Sequence, residues 1–238
     1  MRTDIICGLN AVSALFSQRP DAVERLFYTE ALKQEVGAFC GVMAAAHKPY
    51  RMLEAAEMEK AAGTTHHGGV AAVAAARHVP ILELTNIPKA KFLLVLDGIG
   101  NPHNLGAIAR SAAFFGVRHM LIGEGPGHAM LSDAAYRTAE GGLEYLEITR
   151  TRHLPNALDQ IRKHYRTVAT ALSPDAHTAA DLPRDRPIAL VLGNEETGVA
   201  PDVLAVCRRK IRIPGSGRVQ SLNVAQAAAV LLAQLAGV

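Results

Sequence analysis

A chain of 238 residues, 49% of them apolar and 20% charged, can bury one large core or two small ones, which excludes an intrinsically disordered chain. Its formal net charge of +3 permits a polyanionic partner without demanding one. Three scattered cysteines, Cys7, Cys40 and Cys207, exclude a disulfide framework and a zinc knuckle and are expected as reduced thiols.

The opening stretch "MRTDIICGLNAV" carries Asp4 and lacks the long apolar run of a signal peptide, so a cytoplasmic location is expected. Within residues 1–78, Asn10 is a candidate cap for the helical "NAVSALFSQ". "VERLFY" reads as a strand, and "EALKQEVGAFCGVMAAAHK" reads as a helix. The segment closes with "GTTHHGGVAAVAAA", where glycines precede a short apolar run. The His66–His67 pair has no third ligand at a usable spacing, which disfavours zinc. A small α/β unit is expected here, followed by a proline-bearing linker over 79–90.

From Lys91 to residue 238 apolar runs alternate with helical patterns: "FLLVL", "LGAIARSAAFF" stopped by Gly116, "HMLIG", "SDAAYRTAE" ended by Gly141–Gly142, "LEYLEIT", "LPNALDQIRKHY", "TVATAL", "PIALVLG", "KIRIP" and a final helix. Continuous apolar strands between helices predict a parallel sheet covered on both faces, whose ligands sit at the carboxyl ends of the strands. The last helix is apolar nearly all round, which predicts burial on most faces. Asn223, Gln226 and Gln234 interrupt it, so it is too weak for a bilayer span.

Three of these strands run into glycine-bearing polar loops, "DGIGNPHNLGAIAR", "GNEETGVAP" and "GSGRVQSLNV". In a parallel sheet all three leave at one edge. In the first, Asn104 falls where an N-cap belongs, with Pro102 ahead of it and Gly106 allowing close approach of the backbone. Arg110 follows among small apolar residues. The pair is either a cap with a surface cation or an anion site. In the second loop Glu195 and Glu196 are adjacent and do not share a face, so they form no acid/base dyad. In the third, Ser221 is a natural N-cap, and Asn223 needs a partner if buried, at about 1–3 kcal/mol without one. Basic residues cluster at "RKHYR" (162–166) and "CRRKIRIPGSGR" (207–218).

In order and spacing, "LDGIGNPHNLGAIARSAAFFG", "LVLGNEETGVAP" and "IRIPGSGRVQSLNVAQAAAVLL" resemble the three signature motifs of the SpoU/TrmH family of RNA ribose 2'-O-methyltransferases, in the SPOUT superfamily. "GLNAV" and "HHGGVAAV" resemble the edges of the small substrate-binding domain many members carry. The resemblance implies an α/β trefoil-knot domain over 91–238 with a parallel sheet, preceded by an α/β substrate-binding domain. It further implies S-adenosylmethionine as cofactor, a homodimer, ribosomal or transfer RNA as substrate, and no metal. By position, the catalytic residues would be Asn104, Arg110, Glu195, Ser221 and Asn223. Leu192, Gly193, Ile213, Pro214 and Leu222 would hold the cofactor. With RNA as substrate, the basic clusters at 162–166 and 208–218, the latter with Arg208, Arg209, Lys210, Arg212 and Arg218, would contact its phosphates. The chain departs from the family pattern at Gly215 and Gln226. An alternative from another class is a catalytically silent RNA-binding or assembly factor on the same fold. A dinucleotide-dependent oxidoreductase is disfavoured, because no G-x-G-x-x-G follows a strand.

Overall fold

The computed structural model describes residues 2–236, so Met1, Gly237 and Val238, at the limits of the two expected domains, lie outside the described residues. The chain divides into two compact units. The first comprises Met1–His78 and Leu131–Tyr145, the second Val79–Met130 and Leu146–Val238.

In the first unit, β1 (Thr3–Cys7), α1 (Leu9–Gln18), β2 (Val23–Tyr28), α2 (Gly37–Ala45), β3 (Tyr50–Met52), α3 (Ala55–Ala62) and β4 (Val70–Ala75) follow in order. The sheet runs β1-β4-β2-β3. β4 pairs antiparallel with both β1 and β2, and β3 is a parallel edge strand on β2. Ile6, Leu15, Leu26, Met43 and Met58 are wholly buried in its core. Two expectations are corrected. The N-cap of α1 is Gly8 at φ 91, so Asn10 sits inside the first turn. The helix expected from Glu30 begins only at Gly37, after a 3-10 turn over Glu30–Leu32.

Far along the chain, α5 (Asp133–Ala139) and a 3-10 turn over Gly142–Tyr145 complete this unit. Polar groups fasten them. Asp133 Oδ1 accepts the amide of Ile5 at 3.1 Å, and the Tyr136 hydroxyl donates to Asp4 Oδ2 at 3.2 Å. Arg19 grips Glu144 with two bonds of 2.7 and 2.8 Å, and the Glu144 side chain is only 1% exposed. The hydrogen bond to Glu144 holds the Arg19 proton more firmly than usual, whereas burial lowers that of Arg77. Burial, with Asp4 next in effect, pushes the Tyr136 phenol well above its ordinary range.

The second unit contains β5 (Phe92–Leu96), α4 (Pro102–Phe114), β6 (His119–Gly123), β7 (Glu147–Thr151), α6 (Leu154–Ile161), β8 (Arg166–Thr170), β9 (Ile188–Leu192), α7 (Pro201–Val206), β10 (Arg209–Ile211) and α8 (Val224–Leu235). Its six strands are all parallel, in the order β10-β8-β9-β5-β6-β7. β5 and β9 are buried at every position, as expected of central strands covered on both faces. The 79–90 segment packs here: Leu82 is buried, its amide bonds Arg150 O at 2.8 Å, and Tyr165 accepts the amide of Ala90 at 3.0 Å. α8 packs on α4 and buries one stripe, Val224, Ala228, Leu231, Leu232 and Leu235. Burial on most faces is therefore not found within the chain, because Gln226, Ala233 and Gln234 face outward.

The Arg19–Glu144 pair generates a prediction. Arg19→Met strands a buried carboxylate and is expected to cost about 3–5 kcal/mol in urea unfolding. Adding Glu144→Leu removes the stranded charge, and the double variant should recover most of that loss.

Candidate active site

Parallel strands bring the loops after β5 and β9 side by side, since these two strands are neighbours. β10 is separated from β9 by β8, so the segment leaving β8 lies between the second and third loops. Its first residue, Ala171, donates its amide to Ile211 O at 2.9 Å, and Leu172 beyond it is 67% exposed. "TVATALS" contains no glycine, so nothing in its composition marked it as part of the edge.

The first two loops are braced by residues that motif spacing did not single out. Asp97, directly after β5 and 8% exposed, accepts the amide of Ala200 on Oδ2 at 2.8 Å, while its own amide donates to Leu192 O at 2.9 Å. Asn194 Nδ2 donates to Gly98 O at 2.7 Å, and its Oδ1 accepts the amides of Glu196 and Thr197 at 2.9 and 3.1 Å. The available signal was position: each is the first strongly polar residue after an apolar strand. Gly193 has a separate necessity. The loop folds back so tightly that a Cβ there would lie 2.1 Å from the amide nitrogen of Val199.

Asn104, Glu195 and Asn223 meet. Asn223 is the N-cap of α8: its Oδ1 accepts the amide of Ala225 at 2.8 Å. That bond commits the oxygen and leaves Nδ2 to donate to Asn104 Oδ1 at 3.2 Å. Asn104 must then turn its own Nδ2 outward, where it donates to Glu195 Oε1 at 2.5 Å. A directed chain of amides thus runs from a helix terminus to a carboxylate and joins all three loops.

Two capping assignments are corrected by this geometry. The cap of α4 is Asn101, whose side chain accepts the amide of His103 at 2.8 Å; Pro102 occupies the first helical position, which fixes the preceding residue as the cap. Asn104 is thereby released to work sideways. Ser221 is exposed and does not cap α8, because Asn223 does.

The remaining candidates divide. Arg110 is exposed on α4. Six residues separate it from Asn104, about 9 Å along the axis and about a third of a turn away in azimuth. Leu192 is wholly buried and Gly193 is buried beside it, whereas Ile213 is half-buried and Pro214 and Leu222 are exposed. Arg208, Arg209, Arg212 and Arg218 are exposed; Lys210 is half-buried and sits 3.4 Å from Asp175. In the other basic cluster, Arg162 pairs with Asp159 at 2.6 Å and Arg166 with Asp185 at 2.8 Å, so those charges are committed within the chain. Burial, then Asp97, pushes the Cys207 thiol up to about 12, which leaves it no nucleophile at neutral pH.

Comparison with known proteins gives matches at both levels. Residues 91–233 match the SpoU rRNA Methylase family, and residues 5–80 match the RNA 2'-O ribose methyltransferase substrate binding family. YfiF of Escherichia coli, described as an uncharacterized tRNA/rRNA methyltransferase, is 33% identical over 96% of this chain, which spans 66% of that protein's length. The 23S rRNA (guanosine-2'-O-)-methyltransferase RlmB of Burkholderia sp is 32% identical over 97% of this chain and 95% of its own. In structure, the SpoU methyltransferase AviRb from Streptomyces viridochromogenes, solved in complex with the cofactor AdoMet, superposes with a TM-score of 0.78 at 21% identity, covering 98% of this chain and 89% of that one.

Two substitutions probe the geometry. Gly193→Ala has no room for its methyl and is expected to lose about 1–3 kcal/mol in thermal unfolding. Asn223→Ala should lose about 1 kcal/mol with the cap, while Asn223→Asp, an equivalent cap, should unfold as the parent does.

Proposed function

The chain belongs to the SpoU rRNA methylase family, and on that premise we propose that it transfers the methyl group of S-adenosylmethionine to a ribose 2'-hydroxyl of ribosomal or transfer RNA. The directed chain Asn223–Asn104–Glu195 is the observation behind the proposal: three polar loops at one sheet edge are held in a single geometry that ends in a carboxylate.

The residues at that edge fit the cofactor by chemistry. Leu172 and Leu222, 67% and 48% exposed, are apolar side chains on segments that leave β8 and β10, at the same sheet edge as the tightly folded Gly193 loop. Exposed apolar surface with backbone donors and acceptors suits an adenine ring. S-adenosylmethionine, when bound, supplies a methyl group on a sulfonium that is already a good leaving group.

The protein's contribution is then to position the hydroxyl and to stabilise the charge that develops on it. Asn104 is held by both neighbours and cannot rotate without breaking the chain, which makes it a fixed polar group for orienting the ribose. Ser221, exposed beside Asn223, is a second orienting hydroxyl. A guanidinium keeps its proton throughout the physiological range, so Arg110 is assigned as ligand of the adjacent phosphate and of the incipient alkoxide rather than as base. The exposed Arg208, Arg209, Arg212 and Arg218 contact further phosphates.

Phe114, 80% exposed near the end of α4, and the outward face of α8 are surface for a second copy of the chain, so a homodimer belongs to the proposal. No helix among the described residues is long and apolar enough to cross a membrane. A cytoplasmic location is proposed because the RNA is there.

Tritiated methyl transfer from S-adenosylmethionine to unmodified total RNA, read as 2'-O-methyls resistant to alkaline hydrolysis, is the direct assay; no incorporation into any RNA refutes the activity. Arg110→Ala should lose both RNA affinity and rate, with Arg110→Lys regaining part of the affinity. An Arg110→Ala enzyme that keeps its RNA affinity and loses only the chemical step would contradict the phosphate role. Asn223→Asp should fold as the parent and lose transfer, because its carboxylate cannot donate to Asn104. RNA affinity should fall with salt at a slope of roughly −3.5 in log–log form, as for about five phosphate contacts.

A further inference from the structure

Two sequence features remain unused by the transfer reaction, "GLNAV" after β1 and "HHGGV" before β4. The first unit brings them together. Gly8 donates its amide to Val70 O at 3.1 Å, and a Cβ on Gly68 would lie 3.5 Å from the Cα of Gly8, so the two loops touch backbone to backbone. Between them and α5 opens a cleft of about 300 Å³, whose lining includes Leu9, Asn10, Ala11, His66, Arg137 and Glu140.

The walls carry directional chemistry. Asn10 Nδ2 donates to Glu140 Oε2 at 3.1 Å, which sets an amide and a carboxylate side by side at the rim. Glu140 is held there at a cost, in the left-handed region at φ 43. The following Gly141 presses on α1 so closely that a Cβ would meet that of Ala14 at 2.8 Å. Arg137 comes from the last turn of α5, and the exposed His66 ring stands on the loop opposite. Gly8, the N-cap of α1, has no side chain with which to cap that helix.

We propose that this cleft takes one unpaired nucleotide of the RNA substrate. The volume suits a single base. Arg137 and Glu140 supply a donor fork and an acceptor for a base edge, and the His66 ring supplies a stacking face, the combination by which single-stranded bases are read. A duplex does not suit it, because its Watson–Crick edges are paired and its base faces are stacked. The proposal rests on RNA being the substrate and adds where, on the first unit, one of its nucleotides is held.

The four nucleoside 5'-monophosphates and inorganic phosphate would be titrated into the full-length protein, with the amide signals of Leu9, Asn10 and Ala11 and the ring signals of His66 followed by NMR. Shifts with at least one nucleotide, and none with phosphate at the same concentration, are expected. Equal shifts with phosphate alone, or none with any nucleotide, overturn the pocket. In parallel, Arg137→Gln and His66→Ala should each raise the Kd for substrate RNA about tenfold while the affinity for S-adenosylmethionine stays at the parent value. Parent-like RNA affinity in both variants also overturns it. Should one variant fail to fold, the other and the titration decide. Absence of methyl transfer by the unaltered protein would instead refute the activity, an outcome read before any pocket variant is made.

Discussion

Six strands of one sheet point the same way, and that single constraint decides where chemistry can be placed in the second unit. Every polar segment leaving a strand end arrives at the carboxyl edge, where Asp97, Asn194 and Glu195 stand, each within a few residues of a buried strand. The edge still needs a direction, and a helix terminus provides it. Because the Asn223 oxygen is committed to the amide of Ala225, each amide beyond it has one workable orientation, and the last group must accept. Capping α8 and aiming the Asn104 side chain are here one act.

The strands were legible in the sequence wherever burial was complete. "FLLVL" and "IALVL" are apolar without interruption because both of their faces are covered, and no helical period competes with them. The three polar loops were legible for a related reason, since an abrupt change from apolar to glycine-bearing marks a strand end. The caps were not. At α1, α4 and α8 the chain offers two polar or glycine candidates within three residues, and local preference favours either. The decision came from the backbone at Gly8, from Pro102 at α4, and at α8 from which side chain also had a partner across the loops. The segment after β8 was missed because its role follows from strand order, which no local pattern encodes.

Least legible was the fate of 131–145. Its helical pattern is plain, and α5 forms where "SDAAYRTAE" predicts it. That its Asp133, Tyr136 and Glu144 serve Ile5, Asp4 and Arg19 is a fact about residues more than a hundred positions away. Buried charge made it discoverable afterwards: Glu144 is tolerable inside the protein only because Arg19 grips it with two bonds. The same segment supplies one wall of the cleft that "GLNAV" and "HHGGV" line, so the fastening of this unit and its recognition surface share a helix.

A unit completed by such a late segment also has a schedule. Ribosomal synthesis delivers β1 to β4 first, but the Ile5 amide waits for Asp133 and Arg19 waits for Glu144. Between His78 and Leu131 the nascent chain must carry the whole of Val79–Met130, part of another fold. At about 5–20 residues per second that interval lasts a few seconds, during which β1 is an open sheet edge beside an uncompensated cation. Translation speed thus enters the assembly of the very unit whose first residues are made first.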